Sequence, residues 1–108
     1  MPKKTSVVFA SEKLEKSFEN LGSEESMRKY LMRAIDDLKQ DPFCGTKLPQ
    51  RLFPKEYVQR YNIDNLWKYD LPDGWRLIYT LVNKGQVEII SVILEWFDHK
   101  DYERRFSY

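Results

Sequence analysis

Two cations on neighbouring predicted strands have the residue types needed to bind a phosphate. Lys68 lies in the alternating segment 66–71, and Arg76 follows the turn signal Pro-Asp-Gly at 72–74. An arginine can grip a phosphate with its planar fork of N–H groups, while a lysine adds a point charge. The pair therefore indicates a phosphate-binding site if the strands bring the two side chains together.

The turn length predicts how these strands pair. If Leu71 faces Trp75 across the turn, Asp70 faces Arg76, and Lys68 lies diagonally from Arg76 on the same face of the sheet. This arrangement allows a phosphate site. It equally allows a simple cross-strand ion pair between Asp70 and Arg76, with Lys68 at a solvated edge and an exposed contact worth roughly 0 to 1 kcal/mol.

His99 and Tyr102 follow the last predicted strand and form a second candidate pair. A histidine can act as acid or base near neutral pH, and a tyrosine hydroxyl three residues later could lie beside it. The alternative is that His99 is a surface polar residue and that Tyr102 packs on the sheet. Both interpretations remain open from the sequence.

The basic charge is local, because the whole chain carries a net charge of only +1. Residues 44–61 hold four basic residues against a single acid, Glu56. The four are Lys47, Arg51, Lys55 and Arg60. A long connection with few periodic apolar residues often carries function, so this segment is a candidate for contacts with RNA.

Several kinds of chemistry lack the residues they need. No glycine-rich phosphate loop, serine nucleophile motif or suitably spaced carboxylate pair is present. Cys44 is the only cysteine, which excludes an internal disulfide and a cysteine-based zinc site. No apolar run is long enough to span a membrane, so we expect a cytoplasmic protein. We also expect that the protein uses no metal or other cofactor. Lysine, arginine, histidine and tyrosine can instead support metal-independent cleavage of RNA by its own 2′-hydroxyl.

Two helices are predicted after a first strand at residues 5–10. Ser11 is a candidate N-cap for the first helix, which ends near Gly22. Ser23 is a candidate N-cap for the second, with Glu24 and Glu25 in its first turn. The second helix has an apolar stripe at helical spacing, formed by Met27, Tyr30, Leu31, Ala34, Ile35 and Leu38.

The C-terminal half predicts a three-stranded antiparallel meander. Segments 66–71, 75–82 and 87–97 are separated by turn signals at 72–74 and 83–86, and a polar tail follows from Asp98 to Tyr108. Residues 43–65 are expected to be a long connection. The fold class is α+β, a single domain over residues 1–108. An antiparallel sheet with an N-terminal strand and a three-stranded meander carries two helices on one face.

Three sequence strings and the order of elements resemble the RelE/ParE family of toxins from toxin–antitoxin pairs. The strings are Leu-Trp-Lys-Tyr-Asp-Leu at 66–71, Gly-Trp-Arg-Leu-Ile-Tyr at 74–79 and Ile-Leu-Glu-Trp-Phe-Asp-His-Lys-Asp-Tyr at 93–102. The resemblance covers nearly the whole chain. It implies a RelE-like fold and a small cognate antitoxin as partner.

By this resemblance the chain is expected to be a ribosome-dependent messenger RNA endonuclease. The implied catalytic residues are Lys68, Arg76, His99 and Tyr102, and the implied RNA-binding residues are Lys47, Arg51, Lys55, Lys100, Arg104 and Arg105. Asp70 departs from RelE itself, which has a second lysine at the matching place, and the glutamate used as a base by some relatives has no counterpart at 47–54. A gyrase-binding ParE-like toxin, or an inactive member that only binds an antitoxin, is therefore the alternative.

Overall fold

A computed structural model describes residues 4–23, 25–85 and 87–106, which form five strands and four helices. The strands are β1 (Lys4–Phe9), β2 (Thr46–Lys47), β3 (Trp67–Asp70), β4 (Arg76–Lys84) and β5 (Glu88–Phe97), and the helices are α1 (Glu12–Glu19), α2 (Ser26–Gln40), α3 (Lys55–Tyr61) and α4 (His99–Phe106). The predictions made for Glu24, Gln86 and the last two residues of the tail lie outside the described residues. Within the described residues, no helix is both long enough and apolar enough to cross a membrane.

The sheet is mixed, with strand order β1-β5-β4-β3-β2. The predicted meander β3-β4-β5 is antiparallel, as expected. The prediction of a wholly antiparallel sheet is wrong, because β1 pairs with β5 in parallel, with Lys4 opposite Glu88 and Phe9 opposite Ile93. An alternating pattern indicates which face of a strand is buried but not the direction of its partner, so the sequence left this pairing undetermined.

The first two helices pack on one face of the sheet. Ser11 is the N-cap of α1, and its side chain accepts a hydrogen bond from the Leu14 amide, 3.1 Å away. The predicted stripe of α2 is confirmed, since its buried residues are Leu31, Ala34 and Leu38. These helices and the sheet enclose one hydrophobic core, whose buried residues outside the helices are Leu71, which follows β3, and the strand residues Leu77, Tyr79 and Ile93.

The start of α2 differs from the prediction. The N-cap is Glu25 rather than Ser23, and no side chain caps the helix. The Glu25 carboxylate instead accepts a hydrogen bond from the Gly22 amide at 3.0 Å, which closes the turn between the helices. This contact orders the turn before the helix but leaves the first amides of α2 without the side-chain cap that Ser23 was predicted to supply.

The opposite face of the sheet is also covered, so the prediction of helices on one face alone is incomplete. A second core contains Tyr57 from α3 and Tyr102 and Phe106 from α4, packed on strand residues that include Ile78 and Phe97. Helix α4 comprises most of the tail that was expected to be polar. Its only apolar residues, Tyr102 and Phe106, are four positions apart and therefore lie on one helix face.

The long connection predicted at 43–65 contains regular structure. It includes β2, a short 3₁₀ turn at Gln50–Leu52 and helix α3, which begins after Pro54 and ends at Asn62 in the left-handed conformation. Helix α3 has seven residues. A helix of two turns is too short to show a clear hydrophobic period, which explains why it was not predicted.

Candidate functional site

The register of the first hairpin matches the prediction. Asp70 pairs with Arg76 across β3 and β4, and the Leu71 amide donates a hydrogen bond to the Trp75 carbonyl at 2.9 Å. Asp73 and Gly74 adopt positive φ values of 60° and 80° in the tight turn. The turn thus sets Lys68, Asp70 and Arg76 on one face of the sheet, at the end of the hairpin near the turn.

Asp70 contacts both cations through the same carboxylate oxygen. Its Oδ1 atom lies 3.0 Å from Lys68 Nζ and 3.0 Å from Arg76 Nε. The Lys68 and Arg76 side chains are each 21% exposed, whereas the Asp70 side chain is 59% exposed. The cross-strand ion pair is therefore formed, and Lys68 joins it instead of standing alone at the edge.

Arg76 is held from three sides. Its guanidinium carbon lies 5.6 Å from the centre of the Tyr102 ring, and its Nη1 atom donates to the Trp75 carbonyl at 3.3 Å. Its Nε atom is buried and lacks an aligned hydrogen-bond acceptor among the described residues, although Asp70 is close. The Asp70 contact is thus mainly electrostatic, because the carboxylate lies near the guanidinium but off the N–H direction.

His99 lies beside this hairpin at the start of α4. A Cβ atom added at Gly74 would be 3.8 Å from the His99 Cβ, so the histidine borders the turn that joins β3 to β4. Its side chain is exposed, and Nε2 lies 2.9 Å from a carboxylate oxygen of Glu103. A carboxylate at this distance can orient the imidazole ring.

Tyr102 belongs to the core rather than to the surface. It is 6% exposed, and its ring centre lies 6.0 Å from that of Phe97 and 4.6 Å from that of Phe106. The packing interpretation therefore describes Tyr102, while its ring also supports Arg76. The Tyr102 ring therefore helps to position the Arg76 guanidinium.

Two of the expected RNA-binding residues, Arg104 and Arg105, lie on α4 and form ion pairs. Arg105 bridges two carboxylates, with Nη1 2.6 Å from Glu56 and Nη2 2.9 Å from Glu95. Arg104 is exposed and lies 3.7 Å from Asp101. Arg105 therefore ties α4 to α3 and β5, a role that leaves its charge balanced by two acids.

The remaining expected RNA-binding residues are exposed but spread over separate elements. They are Lys47 on β2, Arg51 in the 3₁₀ turn, Lys55 at the start of α3 and Lys100 on α4. Thr46, rather than Lys47, pairs with Lys68. Since side chains alternate along a strand, Lys47 points to the face opposite that of Lys68.

Sequence reasoning missed a polar network beneath α4. The hydroxyl of Tyr57 donates to Glu95, which also binds Arg105. Burial and the Glu95 carboxylate raise the pKa of Tyr57 well above its usual value. The network borders a cleft of about 230 Å³ between α1, α3 and β5. Its members come from distant parts of the chain, so no local spacing could have indicated it.

A second groove lies between α2 and strand β3. It has a volume of about 530 Å³ and is lined by Lys29, Tyr30, Arg33, Tyr69, Asp70, Leu71 and Pro72. The two tyrosine hydroxyls are anchored, Tyr30 to Asp73 at 3.0 Å and Tyr69 to Asp37. The groove thus combines ring surface and two cations, and it ends at Asp70 beside the charged hairpin.

In the described part of the chain, no three His, Cys, Asp or Glu side chains are grouped so that they could hold a metal ion. Comparison with protein families, with characterised proteins and with solved structures finds no match to this chain.

Proposed function

We propose that this protein is a RelE-like toxin that acts in the cytoplasm as a ribosome-dependent messenger RNA endonuclease. One observation carries the proposal: Lys68 and Arg76 converge on a single point at the exposed end of the hairpin, beside His99. Two cations that converge on one oxygen suit a phosphate group. The order and spacing of the residues that resemble RelE support the choice of RNA as substrate.

Each side chain has a role in cleavage by the 2′-hydroxyl of the substrate. Arg76 and Lys68 stabilise the charge that develops on the scissile phosphate. His99 transfers a proton, either from the attacking hydroxyl or to the departing 5′ oxygen. Tyr102 keeps Arg76 in place through its ring and is a positioning residue.

The ribosome supplies binding surface that the chain itself lacks. With a net charge of +1 and its exposed cations spread over several elements, the protein has little of the continuous basic surface that free RNA binders use. Lys47, Arg51, Lys55, Lys100 and Arg104 then make separate contacts with ribosomal or messenger RNA. Arg105 contributes by holding α4 in place.

A small antitoxin is the proposed protein partner, and the groove between α2 and β3 is its proposed contact surface. Tyr30, Tyr69 and Leu71 offer apolar area there, and Lys29 and Arg33 offer charge for an acidic chain. Because the groove ends at Asp70, a segment bound in it reaches the edge of the proposed phosphate site. Co-purification of a small chain from the native host tests this partner, and a protein always isolated alone contradicts it.

Cleavage in a purified translation system tests the endonuclease. We expect messages to be cut inside coding regions when ribosomes are present, and Arg76→Ala and His99→Ala to reduce the cuts. Lys84→Ala is the matched control, because it removes a cation from the exposed far end of the same strand as Arg76. Intact messages with normal translation would refute the endonuclease.

The contacts of Asp70 favour a second candidate: a family member without nuclease activity. An acid within 3.0 Å of both cations neutralises charge that catalysis needs. In that case the protein binds gyrase as ParE does, or binds only its antitoxin. Inhibition of supercoiling by purified gyrase, together with intact RNA, identifies the gyrase binder. Absence of both effects identifies the antitoxin-binding protein.

A further inference from the structure

We propose that Asp70 is a built-in competitor for phosphate at the Lys68–Arg76 site. Its carboxylate oxygen occupies the position that a phosphate oxygen takes when RNA binds, so a phosphodiester must displace it. The identity of the anion rests on the proposed function. The competition itself rests on the geometry of the three side chains.

The first support is that both cations point at one atom. Asp70 Oδ1 lies at 3.0 Å from each of them, which matches the distance between a cation and a phosphate oxygen in a direct contact. Strand register fixes this arrangement, because Asp70 and Arg76 are cross-strand partners and Lys68 lies two residues before Asp70 on the same face. The carboxylate therefore mimics the ligand.

The second support is that Arg76 is held by groups other than Asp70, whereas the acid is largely exposed. Lys68 and Arg76 are each 21% exposed, and Arg76 rests on the Tyr102 ring and the Trp75 carbonyl. Asp70 is 59% exposed and does not make an aligned hydrogen bond with Arg76 Nε. A rotation about the Asp70 side-chain bonds can remove the carboxylate while the Tyr102 ring and the Trp75 carbonyl keep Arg76 in place.

The third support is the open edge beside Asp70. Strand β2 pairs with β3 only at Trp67 and Lys68, so no strand in the described part of the chain covers the outer side of Asp70. The displaced carboxylate can move into solvent there. The Asp70 carboxylate returns to the two cations when the ligand leaves. It therefore lowers the occupancy of the site by weakly bound anions and favours ligands that make further contacts.

Binding of an uncleavable RNA tests the proposal without relying on catalysis. The probe is a short oligonucleotide with 2′-O-methyl groups, which lacks the attacking hydroxyl, and inorganic phosphate serves as a second probe. We expect Asp70→Asn to bind the oligonucleotide about tenfold more tightly than the parent, equivalent to 1.4 kcal/mol. Asp70→Ser should show the same gain, because it also removes the charge.

The matched control is Asp73→Asn, which changes the net charge equally on the same hairpin. Asp73 contacts Tyr30 and neither of the two cations, so it should change affinity less than about twofold. Adding Arg76→Ala to Asp70→Asn should abolish the gain. Each variant is first shown by thermal unfolding to be folded.

The proposal is overturned if Asp70→Asn and Asp70→Ser bind the oligonucleotide no better than Asp73→Asn, or fail to bind it at all. A gain that persists with Arg76→Ala also overturns it. Cleavage on ribosomes is measured separately with the same variants. A gain in binding without any cleavage would refute the endonuclease while leaving the competition intact.

Discussion

The amide of Gly45 donates a hydrogen bond to the hydroxyl of Tyr79, 3.1 Å away, and the same hydroxyl donates to the Pro42 carbonyl at 3.0 Å. Tyr79 is fully buried at the middle of β4. Burial raises the pKa of its hydroxyl well above the usual value. One side chain thus attaches the segment after α2 to the centre of the sheet and positions β2 beside β3.

Gly45→Ala should destabilise the protein strongly. A Cβ atom at this position would lie 2.5 Å from the Lys68 carbonyl oxygen and 2.5 Å from the Tyr79 hydroxyl. Both contacts are far too short, so β2 must shift, at a cost of about 1 to 3 kcal/mol in unfolding free energy. Urea denaturation measures this change. Gly22→Ala is the control, because its nearest contact is an ordinary 3.6 Å; equal stability of both variants would contradict the prediction.

Tyr57→Phe should weaken the attachment of α3 to β5. The Tyr57 hydroxyl is buried and donates to Glu95, so its loss leaves that carboxylate with Arg105 as its main donor. A hydrogen bond to a charged group contributes about 1.5 to 3 kcal/mol. Urea denaturation should show a loss of this size. Tyr61→Phe is the control, since the Tyr61 hydroxyl bonds to no residue in the described ranges, and a similar loss there would count against the prediction.

Tyr69 should make stability fall at alkaline pH. Burial, followed by the hydrogen bond to Asp37, raises its pKa from 10.0 to about 12 in the folded protein. Since the folded state favours the neutral phenol, this contribution is complete below pH 10 and is lost as pH rises towards 12. In Tyr69→Phe the unfolding free energy should decrease less over this interval. Denaturation at several pH values, with Tyr61→Phe as control, measures the difference; parallel curves would contradict it.

Arg76→Ala should separate folding from catalysis. The side chain is less exposed than the sequence suggested and rests on the Tyr102 ring, so we expect a loss of about 1 to 2 kcal/mol in unfolding free energy. Loss of a transition-state contact should slow RNA cleavage about a hundredfold, equivalent to about 3 kcal/mol. Thermal unfolding and mapping of transcript 5′ ends measure the two effects. A folded variant that cuts RNA at the parental rate would show that Arg76 has a structural role and no part in catalysis.

Local signals predicted the elements that depend on neighbouring residues. The alternation at 66–71 and the three-residue turn determine the pairing of Asp70 with Arg76, because hairpin register follows turn length. The apolar stripe of α2 and the Ser11 cap also depend on residues within one or two turns. These features were predictable because their causes lie close together in the chain.

Features that depend on distant residues were not predictable. The parallel pairing of β1 with β5 joins residues 4–9 to residues 88–93, which are far apart in the chain. In the candidate site, the contact of Arg105 with Glu56 spans 49 residues and has no local pattern. The burial of Tyr102 depends on helix α4, whose two apolar positions gave too weak a periodic signal.

The parallel pairing of β1 with β5 also determines when the molecule can finish folding. A chain leaves the ribosome from its N-terminus, so β1 has no strand to join until residues 88–97 have emerged. The large loop between the two strands adds an entropic barrier to this late step. Helices α1 and α2 meanwhile lack the sheet that covers their apolar faces. The nascent chain therefore leaves apolar helix surface accessible to chaperones and proteases until β5 has left the ribosome, which delays the native fold relative to the synthesis of β1.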